Sequence, residues 1–219
     1  MTGTSFSIKP ALLLVAIGAV AAVLLAGLDQ LTRQRIALEQ DRRALAQLEA
    51  LLPDIGYDNE LVRDWVETDI PPFPEPARIY RARRDGEPAA LIIDLVTPRG
   101  YSGSIRLLVA TTPGAEVLGV RVLEHRETPG LGDRIERRRS DWIEQFTGRR
   151  LGQPEHEQWL PDRRGGAFDT LTSATITSSA VIHAVLRALE TIVASDDELW
   201  TRPSESGDDS PDELESETS

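Results

Sequence analysis

The sequence predicts an α+β domain, an antiparallel sheet packed with helices, standing behind one N-terminal transmembrane helix. Three observations carry this. A nineteen-residue apolar run lies near the N-terminus, four consecutive segments alternate with period 2, and two segments of helical period follow the strands.

Residues 1–9 form a short N-terminal segment. The run 10-PALLLVAIGAVAAVLLAGL-28 has no charged or hydrogen-bonding side chain, and at about 1.5 Å per residue it reaches about 28 Å, the thickness of a bilayer core. It is read as an uncleaved membrane span. A cleaved signal peptide is the alternative, but the run is longer than the usual h-region and only Lys9 precedes it. Arg33, Arg35, Arg42 and Arg43 follow the span and taken alone favour a cytoplasmic C-terminal side. Long domains cross largely regardless of such counts, so the residues leave sidedness open.

Residues 29–68 are read as a helical stalk and connector, with Leu45, Leu48 and Leu52 on one stripe that ends at Pro53. The stretch 69-DIPPFPEPAR-78 holds four prolines and reads as extended chain opening the domain, which is placed at 69–195. Arg78 to Arg84 and Pro88 to Val96 flank Asp85-Gly86, and Ser104 to Thr111 and Val117 to Glu124 flank Pro113-Gly114. Four strands with such short connections form an antiparallel meander, expected to bury one face in a two-layer domain. Asp133 to Phe146 and Ser178 to Val193 read as helices. Residues 196–219 form an acidic tail, disordered from 202 onward: from Ser195 to Ser219 there are ten Asp or Glu against Arg202.

Composition excludes several kinds of function. The net charge is −12, of which the tail supplies −9, so the remainder is close to neutral and no basic face interleaved with aromatics is present for nucleic acid. Cysteine is absent, which removes disulfides, thiolate nucleophiles, iron–sulfur clusters and Cys-based zinc sites. His125, His156 and His183 are too widely spaced to suggest a metal site. Redox chemistry on this chain requires an organic cofactor.

Two stretches stand out. In 169-DTLTSATITSSAV-181, four threonines and three serines precede the apolar stripe Val181, Ile182, Val185, Leu186 and Leu189. Thr177, Ser178 and Ser179 stand where N-cap residues belong, and capping is the plainer reading. A helix N-terminus also presents unpaired N–H groups that bind phosphate without a basic side chain, and Thr175 lies beside it. In 125-HRETPGLGD-133, Pro129-Gly130 makes a tight turn with exposed N–H groups, and Gly132 adds a second permissive point. A third stretch, 99-RGYSGSIRLLV-109, reads by itself as the start of a strand.

Taken in order, 100-GYSGSIRLLV-109, 119-GVRVLEHRETPGLGDRI-135, 142-WIEQFTG-148 and 169-DTLTSATITSSAV-181, behind an N-terminal span, resemble the FMN-binding domain of the G subunit of the Rnf electron-transport complex. They also resemble the related C subunit of the sodium-pumping NADH:quinone reductase. The resemblance covers residues 8–195. It implies covalent FMN, joined through its phosphate to the Thr175 hydroxyl by a flavin transferase that consumes FAD. Asp169, Thr172, Ser173 and Ala174 match the pattern that the transferase recognises, and Thr177 doubles as cap and phosphate ligand. By the same analogy His125, Glu127, Thr128 and Leu131 line or brace the flavin pocket, and Gly130 and Gly132 let the backbone approach the ring. The family usually has Gly where this chain has Ser173, a departure that costs on the order of 1 kcal/mol if φ there is positive.

The function so implied is a membrane-anchored subunit of an ion-translocating complex that couples electron flow between ferredoxin and NAD to ion movement. The chain carries electrons and performs no stand-alone catalysis. Its partners are the other subunits, the flavin transferase and, through the span, membrane lipid. Its place is the bacterial inner membrane, single-pass, with the main domain periplasmic. A membrane-anchored FMN-binding regulatory or assembly module is the alternative, and such modules usually carry further spans and Cys-rich clusters. A hydrolase using Ser173 or Ser178 is disfavoured because no Gly-x-Ser-x-Gly is present.

Overall fold

The computed structural model describes residues 45–52, 55–195 and 197–205. The predicted span, the first part of the stalk and the acidic tail beyond residue 205 lie outside the described residues.

Five strands form one antiparallel sheet in chain order: β1 (Trp65–Thr68), β2 (Ala77–Arg84), β3 (Glu87–Thr97), β4 (Ile105–Thr111) and β5 (Val117–Glu124). The register places Val66, Ile79, Ile93, Val109 and Val120 in one cross-strand row, each buried. The adjacent row, Trp65, Tyr80, Ile92, Ala110 and Gly119, faces the other way. This is the period-2 alternation of a pleated strand read across the whole sheet. The β2–β3 hairpin turns on Asp85 (φ 52°) and Gly86 (φ 81°), the left-handed pair that matches strand twist. In the β4–β5 connection the left-handed residue is Ala115 (φ 58°), one position past the Pro113-Gly114 pair expected to make the turn.

The helix α1 (Thr175–Ser195) covers the Val66–Val120 face. Its stripe of Val181, Ile182, Val185, Leu186, Leu189 and Ile192 is buried in a core that includes Ile79, Leu91, Ile93 and Leu107. Its length and hydropathy would suffice to cross a membrane, yet most of its apolar window is buried inside the fold, as for a core helix. It starts at Thr175 and not at Ser178, so Thr177, Ser178 and Ser179 sit within the first turns and are not its caps. Ser178 Oγ donates to Ala174 O (3.0 Å) and Ser179 Oγ to Thr175 O (2.8 Å), the back-bonding of hydroxyls inside a helix.

The second sheet face is also covered, in contrast to the single buried face the sequence predicts. Residues 45–49 are helical, and Leu48, Leu51, Leu52 and Leu61 pack on Tyr80, Ala82, Ile92, Leu108 and Ala110. Leu51 lies directly over Gly119, where an added Cβ would come within 3.1 Å of its side chain. The leucine stripe of the expected stalk is therefore a layer of the domain from Leu45 onward, and β1 lies inside the stretch assigned to the connector.

The segment Asp133 to Phe146 is two short 3-10 turns, Gly132–Ile135 and Asp141–Phe146, and not one helix. Extended Glu136 ends the first, and extended Ser140 opens the second, its hydroxyl capping that turn by accepting from Trp142 N (3.2 Å). Trp142, Phe146, Phe168 and Trp159 pack in sequence beyond it, edge-on, stacked and tilted in turn, with ring centroids 5.6, 5.1 and 4.8 Å apart.

The start of the expected tail is likewise ordered. A short helix, α2 (Glu198–Thr201), buries Leu199, and the chain then follows the outer edge of β1. Glu205 N donates to Trp65 O (2.9 Å), and Trp65 N donates to Ser204 Oγ (3.2 Å). Buried Arg81 holds this segment: its Nη1 donates to Leu199 O (3.0 Å) and Arg202 O (2.6 Å), and its Nε to Asp64 Oδ1 (2.6 Å). Paired charge and backbone contacts outweigh the acidic composition up to residue 205.

Candidate functional site

Three segments meet at the N-terminus of α1. The first is the loop before β4, where Tyr101 is 68% exposed and Ser102 N donates to Glu127 Oε1 (3.0 Å). The second is the loop after β5, where Thr128 O accepts from the N–H groups of Leu131 (3.1 Å) and Gly132 (3.0 Å) around Gly130 (φ 78°). The third is the hydroxyl-rich run. Here Leu171 O accepts from Ala174 N (3.0 Å), Leu171 N donates to Ser178 Oγ (3.0 Å), and Ser173 between them has φ 65°. The left-handed conformation that would suit glycine is thus carried by a serine.

Between these segments lies a cavity of about 550 Å³ lined by Tyr101, Glu127, Thr128, Leu131, Gly132 and residues 173–177. Of the predicted site residues, Glu127, Thr128, Leu131, Gly132, Ser173, Ala174, Thr175 and Thr177 are brought together in its wall. Thr175 is half-buried and is the first residue of α1. The first backbone donor of the helix with a partner in the preceding turn is Ser178 N, to Ala174 O (3.0 Å). By helix geometry the N–H groups of Thr175, Ile176 and Thr177 have no acceptor within the helix, an arrangement that can hold an anion.

The remaining predicted residues stand outside this wall. His125 lies behind it: Nδ1 accepts from Glu127 N (3.0 Å) and Nε2 meets Glu136 Oε1 (2.8 Å). An N–H occupying Nδ1 leaves the ring proton on Nε2, facing the carboxylate. Glu136 is held down to about 2, first by the Arg138 guanidinium, with the His125 contact adding to it against a burial penalty. Gly130 serves the turn and has no atom within 4 Å of the place its Cβ would occupy. Asp169 and Thr172 are exposed and border a neighbouring cavity of about 450 Å³. There Asp169 O accepts from Trp142 Nε1 (2.6 Å) and Asp169 N donates to Gln145 Oε1 (2.7 Å), so that stretch of backbone is presented outward in a fixed shape.

Sequence reasoning missed Tyr101, Ser102 and Ile176. Tyr101 and Ile176 are exposed apolar side chains at the cavity rim, together with Leu131. The signal for Tyr101 was an aromatic between two glycines, which reads equally well as a strand start. The residues present fit a flavin mononucleotide. The volume lies within the roughly 300–1,000 Å³ of cofactor sites, apolar side chains border it and suit a flat ring, and the helix N–H groups without an acceptor suit an anionic phosphate. They do not fit a serine hydrolase. The Ser178 hydroxyl is buried and committed to Ala174 O and Leu171 N, and His183 packs edge-on against Phe73 with ring centroids 5.8 Å apart.

The family model of the FMN-binding domain matches residues 100–190, which contain all three of these segments. Curated relatives narrow the assignment. The ion-translocating oxidoreductase complex G subunit of Shewanella loihica is 38% identical over 90% of this chain and 94% of its own. The G subunit of Pseudomonas aeruginosa is 42% identical over 88% and 91%, and that of Pseudoalteromonas atlantica 43% over 70% and 73%. The chain belongs to the family of ion-translocating oxidoreductase complex G subunits.

Proposed function

We propose that this protein is the membrane-anchored flavoprotein subunit of an ion-translocating electron-transport complex, with FMN esterified through its phosphate to Thr175. The observation that carries the proposal is the position of Thr175, the opening residue of α1, in the wall of a flavin-sized cavity. A flavin transferase supplies the group from FAD: a bond forms between Thr175 Oγ1 and the FMN phosphorus, the pyrophosphate bond breaks, AMP leaves and the hydroxyl proton is released. Exposed Asp169 and Thr172 belong to the surface the transferase reads, and Ser173 and Ala174 set the turn that presents the acceptor.

FMN supplies one- and two-electron chemistry when bound. The chain does the rest. The free N–H groups of Thr175, Ile176 and Thr177 would hold the FMN phosphate, and Tyr101, Leu131 and Ile176 would shield the ring from water. Thr128 and Gly132 complete the lining, and His125, paired with Glu136, braces the adjoining Glu127. The N-terminal apolar run, residues 10–28, anchors the protein in the bacterial inner membrane with the domain on the periplasmic side, where it meets the other subunits.

The test is Thr175→Ala in full-length protein coexpressed with a flavin transferase. The parent should gain the mass of one FMN less one water and fluoresce in a denaturing gel, and the variant should do neither while keeping its circular dichroism. A variant that still fluoresces would overturn the assignment.

A further inference from the structure

Glu127 is buried, 5% exposed, in the wall of the cavity. Both of its carboxylate oxygens accept hydrogen bonds, from two different segments: Oε1 from Ser102 N (3.0 Å) and Oε2 from the Thr177 hydroxyl in the first turn of α1. Its own N–H is held by His125 Nδ1. Two glycines make room for it. A Cβ on Gly100 would lie 2.7 Å from Oε1, and one on Gly132 would lie 2.8 Å from Glu127 Cβ and 2.9 Å from Oε2.

All of these partners are neutral. Ser102 offers a backbone amide, Thr177 a hydroxyl, and the His125 contact uses an unprotonated nitrogen. No salt bridge to Glu127 is formed among the described residues, although arginines are paired with carboxylates elsewhere in the sheet. A carboxylate used only as a clasp would serve as well with a cationic partner. One solvated solely by dipoles keeps its field, and burial leaves that field little screened.

We propose that Glu127 is a positioning residue with two roles: it clasps the loop before β4 to the N-terminus of α1, and its uncompensated negative charge lowers the reduction potential of the flavin in this cavity. Adding an electron to a ring beside a fixed anion is disfavoured, so the bound cofactor becomes a stronger reductant than it would be in the same cavity without that charge. The proposal rests on the reading that FMN occupies this cavity.

Glu127→Gln separates the two roles in flavinylated full-length protein. The amide can accept from Ser102 N and donate to Thr177 Oγ1, so the clasp is retained while the charge is lost. A spectroscopic redox titration should show the midpoint potential raised by at least a tenfold change in the reduction equilibrium, about 59 mV for one electron, with the melting temperature unchanged. Thr177→Val does the converse: it loosens the clasp and keeps the charge, so its melting temperature falls and its potential does not rise. A Gln variant titrating with the parent, or a Val variant whose potential rises, would overturn the proposal. Should the Gln variant not fold, a rise in the potential of the Val variant still overturns the proposal. Parent protein carrying no flavin at Thr175 would instead overturn the cofactor assignment.

Discussion

Gly130 and Gly132 are two residues apart in one loop, and the structure assigns them different reasons for lacking a side chain. At Gly130 φ is 78° and nothing lies within 4 Å of the place a methyl group would take. Alanine there costs about 1–2 kcal/mol of left-handed backbone strain, of which about 0.4–1 kcal/mol is returned by a stiffer unfolded chain. The net loss is roughly 1 kcal/mol, and asparagine, which tolerates this conformation, loses less. Gly132 has no such backbone demand, but its Cβ would meet Glu127 Cβ at 2.8 Å, Glu127 Oε2 at 2.9 Å and Thr177 Oγ1 at 3.2 Å. Overpacking of this kind costs about 1–3 kcal/mol, and the larger asparagine must cost more than alanine. The expected order is therefore Gly, Asn, Ala at 130 and Gly, Ala, Asn at 132. Urea unfolding followed by tryptophan fluorescence measures it, and in a domain of this size each kcal/mol moves the melting temperature by about 2–4 °C. In addition, only the 132 variants disturb Glu127 and should retain less flavin. The same ranking at both positions, or a neutral Gly132→Ala, would refute this reasoning.

Two further outcomes are expected. Asp64→Ala leaves buried Arg81 without its carboxylate and should destabilise the protein by about 3–5 kcal/mol in chemical denaturation, releasing residues 198–205 from the β1 edge, because Arg81 also holds Leu199 O and Arg202 O. Glu136 has a folded-state pKa lowered from 4.5 to about 2, so its contribution is fully present above pH 4.5 and is lost as pH falls toward 2. Arg138 is 74% exposed, so the effect is small and screened by salt; Glu136→Gln should flatten the acid limb of the stability curve within that window, lowering stability slightly at pH 7 and leaving it unchanged near pH 2.

The four longer strands and α1 were legible because each carries a periodic apolar pattern bounded by turn residues. β1 was not. Its four residues, Trp65–Thr68, are too few to display alternation, and they become a strand only by pairing with β2. The leucines at 45, 48 and 52 have helical spacing, which says that one face is buried but not against what; a free stalk and a sheet-covering layer look alike in one dimension. The helix expected over 133–146 fails first at Glu136, where the backbone turns extended, and again at Ser140, whose side chain competes for the backbone. In the site, the loop and the hydroxyl run were visible as local chemistry. Their joining through Glu127 was hidden, since Ser102 and Thr177 are 25 and 50 residues away from it.

The leucine layer over the second sheet face decides where a shortened soluble version of this protein can begin. Cutting at residue 69, the start of the proline-rich stretch, would strip β1 and lay bare Tyr80, Ile92 and Leu108 on a flat, sticky sheet. Such a fragment would aggregate before its flavin chemistry could be tested, whereas one starting at residue 45 keeps its lining.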